Sequence, residues 1–283
     1  MRIFPPSNAI DHMAWNPDQL HAFIRYEHQS HNWIRLLGAF GQAYRTPAPD
    51  DGHYNLSSGV RGQIATRNVD FGMDYQMIFF PTSASLSLLI NSGIQEPLGQ
   101  AADTWDALLG EIESVLTKEG FDAARFRSKV EVRYPDLLDP AGLRQPDLAE
   151  QSLRIRAAAH QALQRLLDQQ KQSDGEIRIW PHNFDTGISL SLPQGYSQYA
   201  GYTPADDAVC AAPYIYNSFY RGSEKTHPDA PPPLHQGHWI NTEHWCGAVL
   251  PLDRIGQLDQ LAEQASQFLL ESTAAMAPRW TTT

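Results

Sequence analysis

The sequence predicts an α+β protein: mainly antiparallel sheets in two similar β-rich halves, each followed by an amphipathic helix, plus an N-terminal and a central helix. Three observations carry this expectation. Short β-branched and aromatic runs are grouped rather than alternated with helices, so a doubly wound parallel sheet does not fit. Each group of runs is followed by one stretch with apolar residues at helical spacing. A long helical pattern beginning at Pro146 divides the chain, giving halves of residues 1–145 and 146–283 that share one core.

The elements follow in order. Pro17-Asp18-Gln19 opens a helix to about Leu37, with Leu20, Phe23, Ile24 and Ile34 recurring on one side. Tyr75–Phe80 and Leu86–Ile90 read as strands around a Pro81-Thr82-Ser83 turn. Asp103 or Thr104 caps a helix whose apolar face is Trp105, Leu108, Leu109, Ile112, Val115 and Leu116, with Gly120 as its stop. Val130–Tyr134 alternates as a short strand, and a connector from Pro135 to Pro146 leads into the central helix. In the second half Glu176–Leu192, Pro213–Tyr220 and Trp245–Leu252 read as strands, before a closing helix with Leu258, Leu261, Ala265, Phe268 and Leu269 on one face. The proline run Pro228–Pro233 cannot join a central ladder. The repeated order of strands then helix suggests an internal duplication.

Composition narrows the function classes. The formal net charge of −11 disfavours nucleic acid and anionic membrane surfaces, both of which require clustered Lys and Arg. No apolar run approaches the ~18 residues that span a bilayer, and Met1–Pro6 lacks a signal-peptide core, so the expected location is cytoplasmic. Cys210 and Cys246 are accordingly expected to be reduced thiols. Nucleotide-cradling glycine motifs, a G-x-S-x-G elbow and H-E-x-x-H are all missing, so no nucleotide cofactor is implied.

Ile177-Arg178-Ile179-Trp180-Pro181-His182-Asn183-Phe184-Asp185 resembles the W-P-H-x-F-D signature of an uncharacterised bacterial domain-of-unknown-function family. Gly201-Tyr202-Thr203-Pro204-Ala205-Asp206-Asp207 is similar to its G-Y-x-P-x-D-[DE] segment, and Pro213-Tyr214-Ile215-Tyr216 to its P-Y-x-Y strand. Gly237-His238-Trp239 and Gly247-Ala248-Val249-Leu250 resemble its final strands. The resemblance spans about Ile177 to Met276 and implies a relative, with no activity attached.

Chemistry-bearing residues concentrate between Trp180 and Trp245. Regular alternation from Ile177 puts His182, Phe184, Ile188 and Leu190 on one face, where His182 could act as a general base or metal ligand beside Asp185. Asp185 would fall on the other face, so the two meet only across a turn near Pro181. The plainer alternative is a structural histidine and a turn-capping aspartate. His235, His238 and His244, with Glu243 nearby, supply divalent-metal ligand types, or form a solvated loop whose Trp239 and Trp245 fill the core or wall a ligand. His21, Glu27, His28 and His31 share helix faces in a pattern that suits a polar surface better than a metal site.

The tyrosines Tyr196, Tyr199, Tyr202, Tyr214, Tyr216 and Tyr220 cluster, and period two places Tyr214, Tyr216 and Tyr220 on one face with Ile215 and Phe219 opposite. Asp206 and Asp207 could line the rim of a pocket there, or simply form a turn. Three functional readings follow: an acid/base or metal-assisted enzyme acting on a small molecule, a non-catalytic small-ligand module, and an interaction protein with the central helix as a partner or homodimer surface.

Overall fold

A computed structural model describes residues 15–59, 62–100, 104–133, 144–171, 175–255 and 257–281. Among these, the elements in chain order are α1 (Pro17–Tyr44), β1 (Leu56–Ser58), β2 (Ile64–Thr66), β3 (Val69–Asp70), β4 (Asp74–Phe80), β5 (Ser85–Ile90) and β6 (Ile94–Gln100). Then come α2 (Trp105–Lys118), α3 (Ala123–Arg133), α4 (Pro146–Gln170), β7 (Arg178–Trp180), β8 (Asp185–Ser191), β9 (Tyr196–Thr203) and β10 (Tyr214–Arg221). The chain closes with β11 (Glu224–Thr226), β12 (His238–Asn241), β13 (Cys246–Pro251), α5 (Leu261–Met276) and α6 (Pro278–Thr281). The strands pair antiparallel, as the α+β expectation has it, in the described pairs β1–β2, β4–β5, β8–β9, β9–β10 and β10–β13. No described helix is long and apolar enough to cross a membrane.

Two compact units emerge, and their boundary differs from the 145/146 division. The first contains Arg25–Ser152 and takes back Arg178–Phe184. The reason is pairing: Ile179 of β7 lies opposite Leu56 of β1. The second contains Leu153–Ile177 and Asp185 onward, together with the start of α1 as far as Ile24.

In the first unit the strands run β7-β1-β2-β4-β5-β6, with β3 on the end of β4. α1 starts where Asn16 and Gln19 cap each other reciprocally, backbone N–H to side-chain oxygen, at 3.1 and 2.9 Å. It runs past the expected Leu37 to Tyr44, through two glycines that look like a stop. Gly41 is instead a contact: a Cβ there would lie 2.9 Å from the Cα of Tyr54. From Asn32 to Ala43 the helix is buried apart from Arg35, and Trp33, Leu36, Leu37 and Phe40 share a core with Leu56, Tyr75, Met77, Phe79 and Leu88.

Thr104 caps α2 by accepting from the Ala107 N–H at 3.2 Å, and Gly120 follows its end in the left-handed region at φ +85°. Leu108 of α2 reaches over Gly99 of β6, where a Cβ would come within 2.5 Å of Leu108 Cδ1. The expected strand at Val130–Tyr134 is overturned. Val130–Arg133 ends helix α3, and Tyr134 lies outside the described residues, as does most of the connector to Pro146. Val-Glu-Val alternates only locally; Phe126 and Val130, four apart, are both buried, while Val132 is exposed. Arg127 between them grips Glu113 of α2 in a two-pronged ion pair at 2.5 and 3.0 Å.

The second unit orders its strands β8-β9-β10-β13-β12, with β11 on β10. Glu176–Leu192, read above as one strand, is two short strands separated by a turn, because Pro181 has no N–H for a ladder. Strands β6 and β9 are among those not anticipated; Pro97 and Gly99 hide the first and Gly201 the second. On the helix-covered face, Gln198 and Asn217 are fully buried. The Gln198 amide donates to Asn217 Oδ1 at 2.9 Å and to Thr273 Oγ1 at 2.8 Å, and its oxygen accepts from Gln170 at 2.9 Å. The Asn217 amide donates to Ser272 Oγ at 2.8 Å and Thr273 Oγ1 at 3.0 Å of α5.

Truncating Asn217 would strand buried polar groups on α5 and β9. Asn217→Ala is therefore expected to cost about 2–3 kcal/mol in urea unfolding, against less than about 1 kcal/mol for Gln170→Ala at the wetter end of the network.

Candidate functional site

β8, β9 and β10 divide the second unit's side chains between two faces. Thr186, Ile188, Leu190, Gln198, Ala200, Tyr202, Ile215, Asn217 and Phe219 are all buried on one. The alternate residues, Asp185, Gly187, Ser189, Ser191, Ser197, Tyr199, Gly201, Tyr214, Tyr216, Ser218 and Tyr220, occupy the other. The predicted sharing of a face by Tyr214, Tyr216 and Tyr220, with Ile215 and Phe219 opposite, is what the register shows.

A pair of glycines makes room for Tyr216. Gly187 stands opposite Gly201, which in turn stands opposite Tyr216. A Cβ on Gly201 would come 3.0 Å from Tyr216 Cε1, and one on Gly187 would come 2.9 Å from its Oη. The ring thus lies across two strands, and its hydroxyl donates to Asp185 Oδ2 at 2.6 Å. Next to it, the Tyr214 hydroxyl donates to Asp206 Oδ2 at 2.6 Å, the two ring centroids being 6.4 Å apart. Asp206 also caps its own turn, accepting from the N–H groups of Ala208 and Val209 at 2.9 and 2.7 Å. The structure thus shows the turn-forming role of Asp206, with its other oxygen taken by Tyr214.

Burial first, and Asp185 second, hold the Tyr216 phenol well above its ordinary pKa. Burial and the hydrogen bond to Asp206 raise Tyr214, while burial and Tyr199 raise Tyr220. The phenols remain protonated donors, and the protons of Tyr214 and Tyr216 are committed to the two aspartates. Further along the face, Tyr199 is 39 % exposed and meets Tyr220 edge to face at 5.5 Å.

The other expected site residues are dispersed. His182 does not look into a core: it sits exposed in the turn Pro181–Phe184, its ring edge-on to Trp180 at 5.9 Å. The turn overturns the strand alternation that faced it inward. Phe184 takes a left-handed backbone (φ +59°), its N–H donating to Trp180 O at 2.8 Å, and Phe184 is the residue buried. The histidine facing this turn from inside is His31, hydrogen-bonded to Pro181 O at 2.8 Å and stacked on Phe184 at 5.9 Å. Glu27, one turn earlier, is fully buried and accepts from the Ser152 hydroxyl, so this side of α1 is no polar surface.

Tyr202 lies fully buried on the helix-covered face beneath Arg156, whose Cζ is 4.9 Å from the ring centre. Arg156 also donates to Thr186 Oγ1 at 3.1 Å. Trp239 donates to Pro232 O at 3.0 Å and packs against the cluster of Tyr196, Phe219, Met276 and Trp280, while Trp245 covers Gly247. The three expected metal histidines are not gathered. His238 begins β12, His244 is exposed in the following turn, and at His235 it is the backbone N–H that meets Glu271, at 3.0 Å. Among the described residues no group of three or more His, Cys, Asp or Glu side chains is arranged to hold a metal ion. A separate open groove of about 600 Å³ between α2 and α3 is lined by Glu113, Ser114, Thr117 and Arg127 and by none of the expected residues.

Sequence reasoning missed Gly187, Gly201 and the serines of the face. The signal was present in Ile188-Ser189-Leu190-Ser191, whose alternation marks one buried and one open side. Arg156 left no such trace, since a lone charge on a helix reads as solvated. No family model, no curated protein and no solved structure matches this chain.

A tyrosine whose folded pKa is raised contributes stability that is complete below its unfolded value, about 10, and is lost as pH climbs above that value. Thermal unfolding followed by circular dichroism should show the midpoint falling above pH ~10. In Tyr216→Phe this fall should be shallower, on a baseline lowered at pH 7 by about 1–3 kcal/mol because the buried Asp185 loses its phenol donor. An unchanged alkaline slope in both Tyr214→Phe and Tyr216→Phe would refute the assignment.

Proposed function

We propose that this chain binds a small molecule on the open face of the β8-β9-β10 sheet. The observation that carries the reading is the alignment of Tyr199, Tyr216 and Tyr220 with Ser189, Ser191 and Ser197 on the side opposite the buried one, with Tyr199 exposed and held edge-on by Tyr220. Aromatic planes and fixed hydroxyls on a rigid sheet supply contact area and orientation together. The Asp185–Tyr216 and Asp206–Tyr214 pairs lock the deeper phenols in place, so the exposed residues stand on a preorganised sheet.

A thermal-shift screen of metabolites should yield a ligand whose stabilisation saturates, reaching about 2.7 kcal/mol at a hundred times its Kd. Tyr199→Ala and Tyr220→Ala should each weaken it with little effect on the unliganded midpoint. Equal shifts in wild type and both variants would place the ligand elsewhere.

One contact favours a second reading, acid/base chemistry by Asp185. Its 2.6 Å bond to the Tyr216 hydroxyl is of the kind through which a proton can be passed. On a substrate that binds this face, Asp185→Asn would then lower turnover by about 10²–10⁴ while Kd changes little. Loss of affinity without loss of turnover would leave only binding.

The repeat of the two halves also enters here as a proposal. It is supported by two turns of one kind, Phe80-Pro81-Thr82-Ser83-Ala84 and Trp180-Pro181-His182-Asn183-Phe184, each ending on a non-glycine residue with positive φ, +48° and +59°. Cys210 and Cys246, both thiols, fit a reducing, cytoplasmic setting.

A further inference from the structure

We infer that the ligand of the open sheet face is a neutral carbohydrate; the inference rests on that face being the binding surface. Register fixes the composition of the patch in rows across the strands. Ser191 faces Ser197, which faces Tyr220, and Ser189 faces Tyr199, which faces Ser218. Ser189, Ser191 and Tyr199 are exposed, Ser197 and Tyr220 are half-buried, and Ser218 is buried with its hydroxyl on the Tyr199 carbonyl. None of these six positions carries a charge, in a chain that has 21 basic and 32 acidic residues.

Lys225 and Asp185 border the patch, and each is hydrogen-bonded. Lys225, opposite Tyr220 on β11, donates to the Glu243 backbone carbonyl at 2.6 Å, and Asp185 accepts from Tyr216.

Charge complementarity selects the ligand class. None of the six positions offers a charged ligand a partner for the water it sheds. Lys225, which keeps its charge while bonded to the Glu243 carbonyl, stands only at the Tyr220 edge. Nucleic acid, whose successive phosphates need clustered cations, would meet Lys225 at one edge and none within the six positions. A wholly apolar ligand would cover serine hydroxyls and leave them unbonded. What matches is a neutral molecule with an apolar C–H face for the exposed Tyr199 ring and a rim of hydroxyls for Ser189, Ser191, Ser197 and Tyr220, each of which can donate and accept. Sugars combine these two features. With strands about 4.8 Å apart and same-face residues roughly 6.8 Å apart, the rows cover about 10 by 7 Å, the size of one or two pyranose rings.

The test is isothermal titration of the full-length protein with neutral saccharides (methyl glucoside, methyl galactoside, maltose, cellobiose, lactose) at millimolar concentration. Glucosamine, glucuronate and nucleoside monophosphates serve as charged comparators. Saturable binding of a neutral saccharide is expected, weakened roughly tenfold in Tyr199→Ala, as for loss of one stacking contact. Ser191→Lys, which puts a charge on the rim without touching the core, should weaken it as well. Binding of a charged comparator alone, abolished by Tyr199→Ala, would overturn the carbohydrate inference and leave the face as a small-molecule site. Saccharide binding that neither variant alters would overturn it too. Failure of every compound in both this panel and the metabolite screen would overturn the inference together with the reading it rests on.

Discussion

The second unit depends on one arrangement, the buried amide pair of Gln198 and Asn217. Two carboxamides with no exposure are tolerated only because each finds partners: the Gln198 amide reaches Asn217 and Thr273, and the Asn217 amide reaches Ser272 and Thr273. Apolar groups would pack in many rotations, whereas these bonds accept one alignment of α5 against β9 and β10. By the two-residue period of a strand, pinning Gln198 and Asn217 inward turns Ser197, Tyr199, Tyr216 and Ser218 to the other side. The composition of the open face is thus a consequence of what the buried face must satisfy.

Shape on that open face comes from absences. Gly187 and Gly201, opposite one another, leave a shallow trough one ring wide, and Tyr216 fills it from the neighbouring strand. An aromatic ring laid over cross-strand glycines restores the packing that a missing side chain forfeits and fixes the phenol within reach of Asp185. Tyr199 and Tyr220 have no such trough, so they stand up from the sheet against each other.

The Trp-Pro-His-Asn-Phe-Asp segment illustrates how a backbone choice reassigns side chains. Proline ends the ladder of β7, and Phe184 adopts a left-handed conformation that a residue with a Cβ rarely takes. The strain, of order 1–2 kcal/mol, is offset by burying a whole phenyl ring under His31. One consequence is that the histidine written into the motif is the exposed one, while a histidine 150 residues away holds the Pro181 carbonyl.

Much of this protein was determined by local pattern. Apolar spacing in α2, α4 and α5, caps at Asn16 and Thr104, and the parity of Tyr214, Tyr216 and Tyr220 are all consequences of neighbours within a few residues, and so they are legible in one dimension. So too was the concentration of tyrosine and aspartate from which the candidate face is built. Tertiary structure alone decided the rest. Val130-Glu131-Val132 became helical because Phe126 and Val130 found a core and Arg127 found Glu113. His235, His238 and His244 were kept from forming a ligand set by their separate places in loop, strand and turn, and Asp185 was given Tyr216 by strand pairing. Alternation and helical spacing are properties of a segment, whereas which partner stands opposite depends on chain brought back from far away, and no window of sequence contains that information.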